Sequence, residues 1–277
     1  MWKPGYVTNG LMDHRLDQAI DLLSASGYSA IGITLGPAHL DPTQVTQQEL
    51  DSIARKLNEA GLQAGIETGG RYLLHPVRKH WPTLASSSKE GRELRQRSYF
   101  QAIDVAAALG APVVSLWSGA NDDPQRDAQE VIELLISAFI PVLDYAGTKG
   151  IKIGFEPEPG MLIESLADWK SLRELVDHPA LGLTVDLGHL GVTESRDPLG
   201  LLGEVLEDVI HVHIDDCRGG IHEHLPLGEG ELNLPELVNL LSENDYQGQL
   251  LVELSRDSHR APELVESSMR FLNALRD

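Results

Sequence analysis

Along the chain, short apolar runs alternate eight times with longer amphipathic stretches. The runs are Tyr6 to Asn9, Ala30 to Thr34, Gln63 to Glu67, Pro112 to Trp117, Ile151 to Glu156, Leu181 to Asp186, Val209 to Asp215 and Gln249 to Leu254. Short runs of this kind, bounded by turn-forming residues, predict β-strands. Between them, patterns such as Leu16-Ala19-Leu22-Leu23, Leu50-Ile53-Leu57 and Val131-Leu134-Leu135-Phe139-Val142-Leu143 step by three and four. Those steps gather the apolar side chains on one stripe of a helix. Gly27, Gly61, Gly110, Gly150 and, more loosely, Gly248 close the helical stretches, where a left-handed cap precedes a short turn into the next strand.

Eight strand-helix units over 277 residues predict an α/β fold made of one domain, residues 1–277, closed as a (β/α)8 TIM barrel. An open doubly wound sheet would need a glycine-rich phosphate loop after the first strand, and Asn9-Gly10-Leu11-Met12 is not one. Alternation within the later strands favours the barrel. Ile151, Ile153 and Phe155 share one face while Lys152, Gly154 and Glu156 share the other; Leu181, Leu183 and Val185 likewise oppose Gly182, Thr184 and Asp186. An aliphatic face suits a cover of helices, and a small or polar face suits an interior that ends in a site.

Composition narrows the function. With 22 Lys and Arg against 42 Asp and Glu, the formal charge is −20, which opposes binding to a phosphate backbone. No run approaches 18 uninterrupted apolar residues, and Met1-Trp2-Lys3-Pro4-Gly5 lacks the apolar core of a secretion signal. The expectation is a cytoplasmic protein that acts on a small molecule, without nucleic-acid or membrane partners, its oligomeric state, homo-oligomer included, left open. One cysteine, Cys217, allows neither an internal disulfide nor paired thiolate ligands, so His, Asp and Glu would have to hold any metal.

Four consecutive strands end in such a residue: Glu156, Asp186, His213 and Glu253. A barrel brings neighbouring strand ends to one mouth, so these groups can converge on a cation although they are far apart in sequence. Three carboxylates and an imidazole suit Mn²⁺, Mg²⁺, Co²⁺ or Zn²⁺. His211 shares a strand face with His213 but lies one layer lower, where a hydrogen-bonding role is expected. His222 and His224 precede Gly228 in what reads as a long loop, free to close over a substrate, bind a second metal or sit in solvent. Trp117, at the end of the fourth strand, offers an aromatic wall to a sugar ring or simple packing. The segment Glu67-Thr-Gly-Gly-Arg71 and the basic run His75-Pro-Val-Arg78-Lys79-His80 offer contacts to an anionic group or a solvated loop.

The runs Gly154-Phe-Glu156-Pro-Glu158-Pro-Gly160, Thr184-Val-Asp186-Leu-Gly-His189, His211-Val-His213-Ile-Asp215-Asp216, Leu227-Gly228-Glu229-Gly230 and Leu251-Val-Glu253-Leu resemble the xylose isomerase-like sugar phosphate isomerase/epimerase family. The resemblance spans nearly the whole chain and is motif-specific from Glu156 onward. It implies one divalent metal, Mn²⁺ first among the choices, held by Glu156, Asp186, His213 and Glu253. In relatives that resemble ketose 3-epimerases it also implies that Glu156 and Glu253 act as acid and base on opposite faces of a substrate. By the same resemblance His189 and Arg218 would hold substrate, and Glu158 and Trp117 are further candidates for substrate contact.

The chemistry expected is proton transfer α to a carbonyl of a sugar, sugar phosphate or polyol, through an enediolate. Reprotonation of the same carbon gives epimerisation, reprotonation of its neighbour gives isomerisation, and expulsion of a β-hydroxyl gives dehydration. The same fold resembles metal-dependent abasic-site endonucleases, but those relatives carry additional metal histidines where this chain has Glu67 and Trp117. A barrel that has lost catalysis is the third reading, and retention of four ligand positions opposes it.

Overall fold

The computed structural model describes residues 1–194 and 197–276. Eight parallel strands close a barrel: β1 (Lys3–Val7), β2 (Ala30–Thr34), β3 (Gln63–Glu67), β4 (Val113–Leu116), β5 (Lys152–Phe155), β6 (Leu181–Asp186), β7 (Val209–Ile214) and, last in the chain, β10 (Gln249–Val252). Each strand pairs with its sequence neighbours, and β10 pairs with β1 to complete the ring. Between β7 and β10 lies an antiparallel hairpin, β8 (Asp216–Arg218) with β9 (Ile221–Leu225).

The outer ring is helical. Its longest members are α3 (Lys89–Leu109), whose N-cap Ser88 accepts from Gly91 N, and α4 (Ala128–Lys149), capped by Asp127. These side chains satisfy amide donors that have no partner within the helix. The expected stop signals hold at Gly61, Gly110 and Gly150, all left-handed with φ of 67–68°. Gly248 departs from that expectation: the left-handed residue near the end of α8 (Leu234–Glu243) is Asp245, at φ 57°. Aspartate tolerates that region because its short side chain hydrogen-bonds locally.

Side-chain alternation divides the barrel as the sequence pattern requires. Phe155 points outward between Phe139 of α4, 5.4 Å away centroid to centroid, and Trp169 of α5 (Leu166–Leu175), at 6.2 Å. All three are fully buried, so truncating Phe155 to Ala would cost about 3–5 kcal/mol. Gly154 points inward, where a Cβ would collide with Thr184 Oγ1, and Ser115 donates to that same oxygen at 3.0 Å. The interior is therefore polar and tightly filled below the mouth.

The first strand starts three residues earlier than its apolar run. Lys3 to Tyr6 register with Gln249 to Val252, which puts Pro4 and Gly5 inside the strand. Gly5 is required there because a side chain would strike Leu251 and Ala30 on the two neighbouring strands. Thr8–Leu11, expected to be extended in part, forms a 3-10 turn that carries Asn9 to the mouth.

Candidate metal centre and active site

Five charged or ionisable side chains meet at the C-terminal end of the barrel: Glu67 at the end of β3, Glu156 just after β5, Asp186 at the end of β6, His213 on β7, and Glu253 just after β10. One ligand atom each from Glu156, Asp186, His213 and Glu253 lies within 4.8 Å of the other three. His213 Nδ1 is 3.0 Å from Glu156 Oε1 and 3.0 Å from Glu253 Oε2. Asn9 Nδ2 donates to the other oxygen of Glu253 at 2.6 Å.

Asp186 is held by its own backbone surroundings. Its Oδ1 accepts from Gly188 N at 2.7 Å and His189 N at 3.2 Å, capping α6 (Leu187–Thr193). Its Oδ2 is buried and accepts no hydrogen bond, with His189 Nε2 at ion-pair distance, 3.5 Å. A buried carboxylate oxygen without a partner costs free energy unless a cation or donor meets it. The donor set, three carboxylates and one imidazole, is the mixed oxygen and nitrogen environment that suits a divalent cation.

The electrostatics point the same way. Burial works against a charged His213 ring, but Glu156, Glu253 and Glu67 outweigh it and push its pKa well above the usual range. Glu156 is raised by burial and by Glu253, against the opposing pull of His213. For Glu253 burial also acts upward, but His213 prevails and holds the carboxyl below its ordinary range. His213 thus serves Glu156, Glu253 and Glu67 together, and His189, lifted against burial to about 9 by Asp186, Glu158 and Glu156, adds positive charge beside them.

Beside this group stands a second set. His189 Nε2 lies 3.1 Å from His222 Nε2, which lies 2.8 Å from His224 Nε2. The other nitrogen of His224, Nδ1, meets Asp215 Oδ2. The three ring nitrogens are close enough together to share a cation or a proton. His222 and His224 were expected in a loop; they sit on β9, alternate residues of one strand face, and both line the cavity. His189 is also 3.9 Å from Glu158 Oε2, and burial together with Glu156 and Glu253 lifts the Glu158 pKa to about 7.

The cavity over these residues encloses about 180 Å³. Glu156, Glu158, His213 and Glu253 line it, Trp117 forms part of a wall, and Arg71, Lys79 and Arg256 stand among the lining residues. Trp117 is buried, its ring edge-on to His80 at 5.2 Å.

Arg218 is not brought to the cavity. It is exposed at the end of β8, pairs with Ile221 across the Gly219-Gly220 turn, and donates to the Glu229 carbonyl. Both glycines are left-handed (φ 60° and 68°), and the tight turn they make leaves the arginine, which the resemblance assigned to substrate, outside the cavity lining. Arg78 stacks on Trp81, 4.0 Å from the ring centroid, and leaves the cavity to its neighbour Lys79.

Two contributors, Asn9 and Arg256, were not singled out in the sequence, and Glu67 was read only as part of a segment that could contact substrate. Glu67 had a readable signal, a carboxylate ending a strand in phase with the four ligands. Its Oε1 is 2.8 Å from His211 Nε2 and its Oε2 is 3.2 Å from His213 Nε2. Burial would raise the Glu67 pKa, but the two imidazoles hold it at about 2. His211 is fully buried one layer below His213.

The sequence profile of the xylose isomerase-like TIM barrel family matches residues 20–275. An uncharacterized protein of Methanocaldococcus jannaschii is 28% identical over 199 residues, 68% of this chain and 67% of its own length. An inosose dehydratase of Clostridium tetani is 27% identical over 133 residues, 42% of this chain and 44% of that enzyme. Among solved structures, a D-allulose 3-epimerase from Methylomonas sp. superposes with a TM-score of 0.80 at 17% identity, covering 99% of this chain and 98% of that one.

Proposed function

The chain belongs to the xylose isomerase-like TIM-barrel family, and we propose that it is a divalent-metal-dependent isomerase or epimerase of a sugar or polyol, acting by proton transfer α to a carbonyl. The observation that carries this reading is the meeting of Glu156 and Glu253 at His213, with a ligand atom of Asp186 within 4.8 Å of all three. Glu156, Asp186, His213 and Glu253 would hold the ion, Mn²⁺ in the first instance. When bound, such an ion supplies Lewis-acid polarisation of the carbonyl and of the enediolate oxygens.

The chain's own residues do the rest. Glu156 and Glu253 stand on strands separated by β6 and β7 around the barrel, so a substrate lying across the mouth is flanked by two carboxylates. One removes the proton from the carbon α to the carbonyl, and the other side of the same carbon is open to reprotonation. Each positioned acid or base contributes about 10²- to 10⁴-fold. Glu158, which lines the cavity with a pKa near neutrality, would exchange protons with substrate hydroxyls, with buried His189 3.9 Å behind it. Trp117 supplies a flat apolar wall for the carbon face of the substrate.

Dehydration is the second reading, favoured by the similarity to an inosose dehydratase. It starts from the same proton abstraction and differs only in loss of a β-hydroxyl. The test is a panel of ketoses and inososes incubated in D2O with Mn²⁺-loaded protein and followed by NMR. Deuterium at the carbon α to the carbonyl is expected, lost in Glu156→Gln or Glu253→Gln protein whose metal content is retained. Turnover with the substrate hydrogen wholly conserved would replace proton transfer with a hydride shift.

A further inference from the structure

The cavity is electrically two-sided. Its floor carries Glu67, Glu156 and Glu253, whereas Arg71, Lys79 and Arg256 line it from the exposed loops after β3 and β10. Arg71 Nη2 donates to the Ser255 carbonyl at 3.1 Å, and Arg256 Nη2 to the His222 carbonyl at 2.6 Å. Each guanidinium is thus tied to a different loop while most of its donors stay unused.

Among the described residues, none of these three cations lies within 4 Å of a carboxylate, in a chain with 42 acidic and 22 basic residues. Arg71 and Arg256 both act on Lys79 as repelling neighbours, with Glu158 the opposing charge. Three like charges opposed by one carboxylate raise one another's free energy, and an incoming anion relieves it. Arg78 and Arg218 take no part: one is stacked on Trp81 and the other is bonded to the Glu229 carbonyl.

We propose that Arg71, Lys79 and Arg256 form a subsite for an anionic group, phosphoryl or carboxylate, borne by the substrate at the end remote from the carbons that Glu156 and Glu253 flank. The inference rests on reading the site as that of a sugar or polyol enzyme and specifies the substrate class as anionic. Guanidinium groups suit both anions because their paired N–H donors match two oxygens at once. The rim also answers a long-range problem. A protein of charge −20 repels an anion at distance, and a local cluster of cations at a cleft reverses the field where the ligand enters.

The test measures binding and needs no turnover. Mn²⁺-loaded full-length protein is titrated calorimetrically with D-fructose, D-fructose 6-phosphate and D-fructuronate, which share a ketose backbone and differ at the terminal carbon. Either charged sugar should bind at least about tenfold more tightly than the neutral one at low salt, and the advantage should shrink at about 0.5 M salt. The tighter of the two charged sugars identifies the anion. The variant Arg71→Gln/Lys79→Gln/Arg256→Gln should lose the advantage with metal content and circular dichroism unchanged. Should the triple variant not fold, Lys79→Gln alone is expected to give a partial loss of the same sign. Equal affinity for all three sugars, or a preference for charge that survives these substitutions and high salt, would overturn the subsite. Charge-selective binding without deuterium exchange would leave the subsite standing and refute proton transfer; exchange without charge selectivity would do the reverse.

Discussion

The Nε2 atom of His213 lies 3.2 Å from Glu67 Oε2, while Nδ1 of the same ring faces Glu156 and Glu253 at 3.0 Å. The Glu67 carboxylate faces the Nε2 side of the ring at ion-pair distance, without hydrogen-bond alignment, and its charge favours a proton on Nε2 that would leave the Nδ1 lone pair for an ion. His211, bonded to the other Glu67 oxygen, holds the carboxylate in turn. Carboxylate partners of this kind orient a ligating histidine and raise its basicity.

Glu67→Gln should therefore weaken Mn²⁺ binding by about 10- to 100-fold while preserving the barrel. Competition against a metallochromic chelator measures the affinity, and an unchanged dissociation constant would show that His213 needs no such support.

Asp186→Asn separates capping from cation binding. The amide oxygen can still accept from Gly188 N and His189 N, so the metal-free variant should melt close to the parent. The stabilisation by metal should largely disappear. At a hundredfold excess over the dissociation constant that stabilisation is about 2.7 kcal/mol in the parent. Thermal melts with and without Mn²⁺ give both quantities; an equal metal-induced shift in parent and variant would remove Asp186 from the ligand set.

Gly188 sits where the cap of α6 meets Asp215. A Cβ there would collide with Asp215 Oδ1 and come within 3.2 Å of Asp186 Oδ1. Gly188→Ala should cost about 1–3 kcal/mol by overpacking and should weaken metal binding by displacing Asp186. Denaturant unfolding of the metal-free protein and a metal titration read the two effects; a fully stable variant would mean that the loop yields freely.

His80 provides a pH signature away from the metal ligands. Burial, then Lys79, Arg95 and Arg71, lower its pKa from 6.5 to about 3. Between those values the unfolded chain binds a proton that the folded chain does not, so stability falls as pH drops through this window. The contribution at pH 5 relative to pH 8 is about 2 kcal/mol. His80→Asn suits the backbone φ of 58° and should flatten the stability profile over the window by about that amount. Parallel pH slopes for parent and variant in urea unfolding would place the titration elsewhere.

The order of the strands, the closed barrel and the quartet Glu156, Asp186, His213 and Glu253 were legible in the sequence. Alternation along a strand is a local property, and closure then carries every strand's C-terminal residue to the same mouth. The expectation that β5 and β6 show one face to helices and one to the interior needed nothing beyond that period. Contacts between distant segments were not legible. Glu67 meets His211 across 144 residues, and Asn9 meets Glu253 across 244. Nothing local to either residue specifies its partner; the stagger between neighbouring strands does. The loops show the same division. The Gly219-Gly220 turn folds a supposed loop into a hairpin, which lifts His222 and His224 into the cavity and turns Arg218 away from it. Arg71 and Lys79 read along the chain as part of a basic segment that could meet an anionic group or lie in solvent, and Arg256 joins them only because barrel closure sets the end of β3 and the end of β10 around one opening.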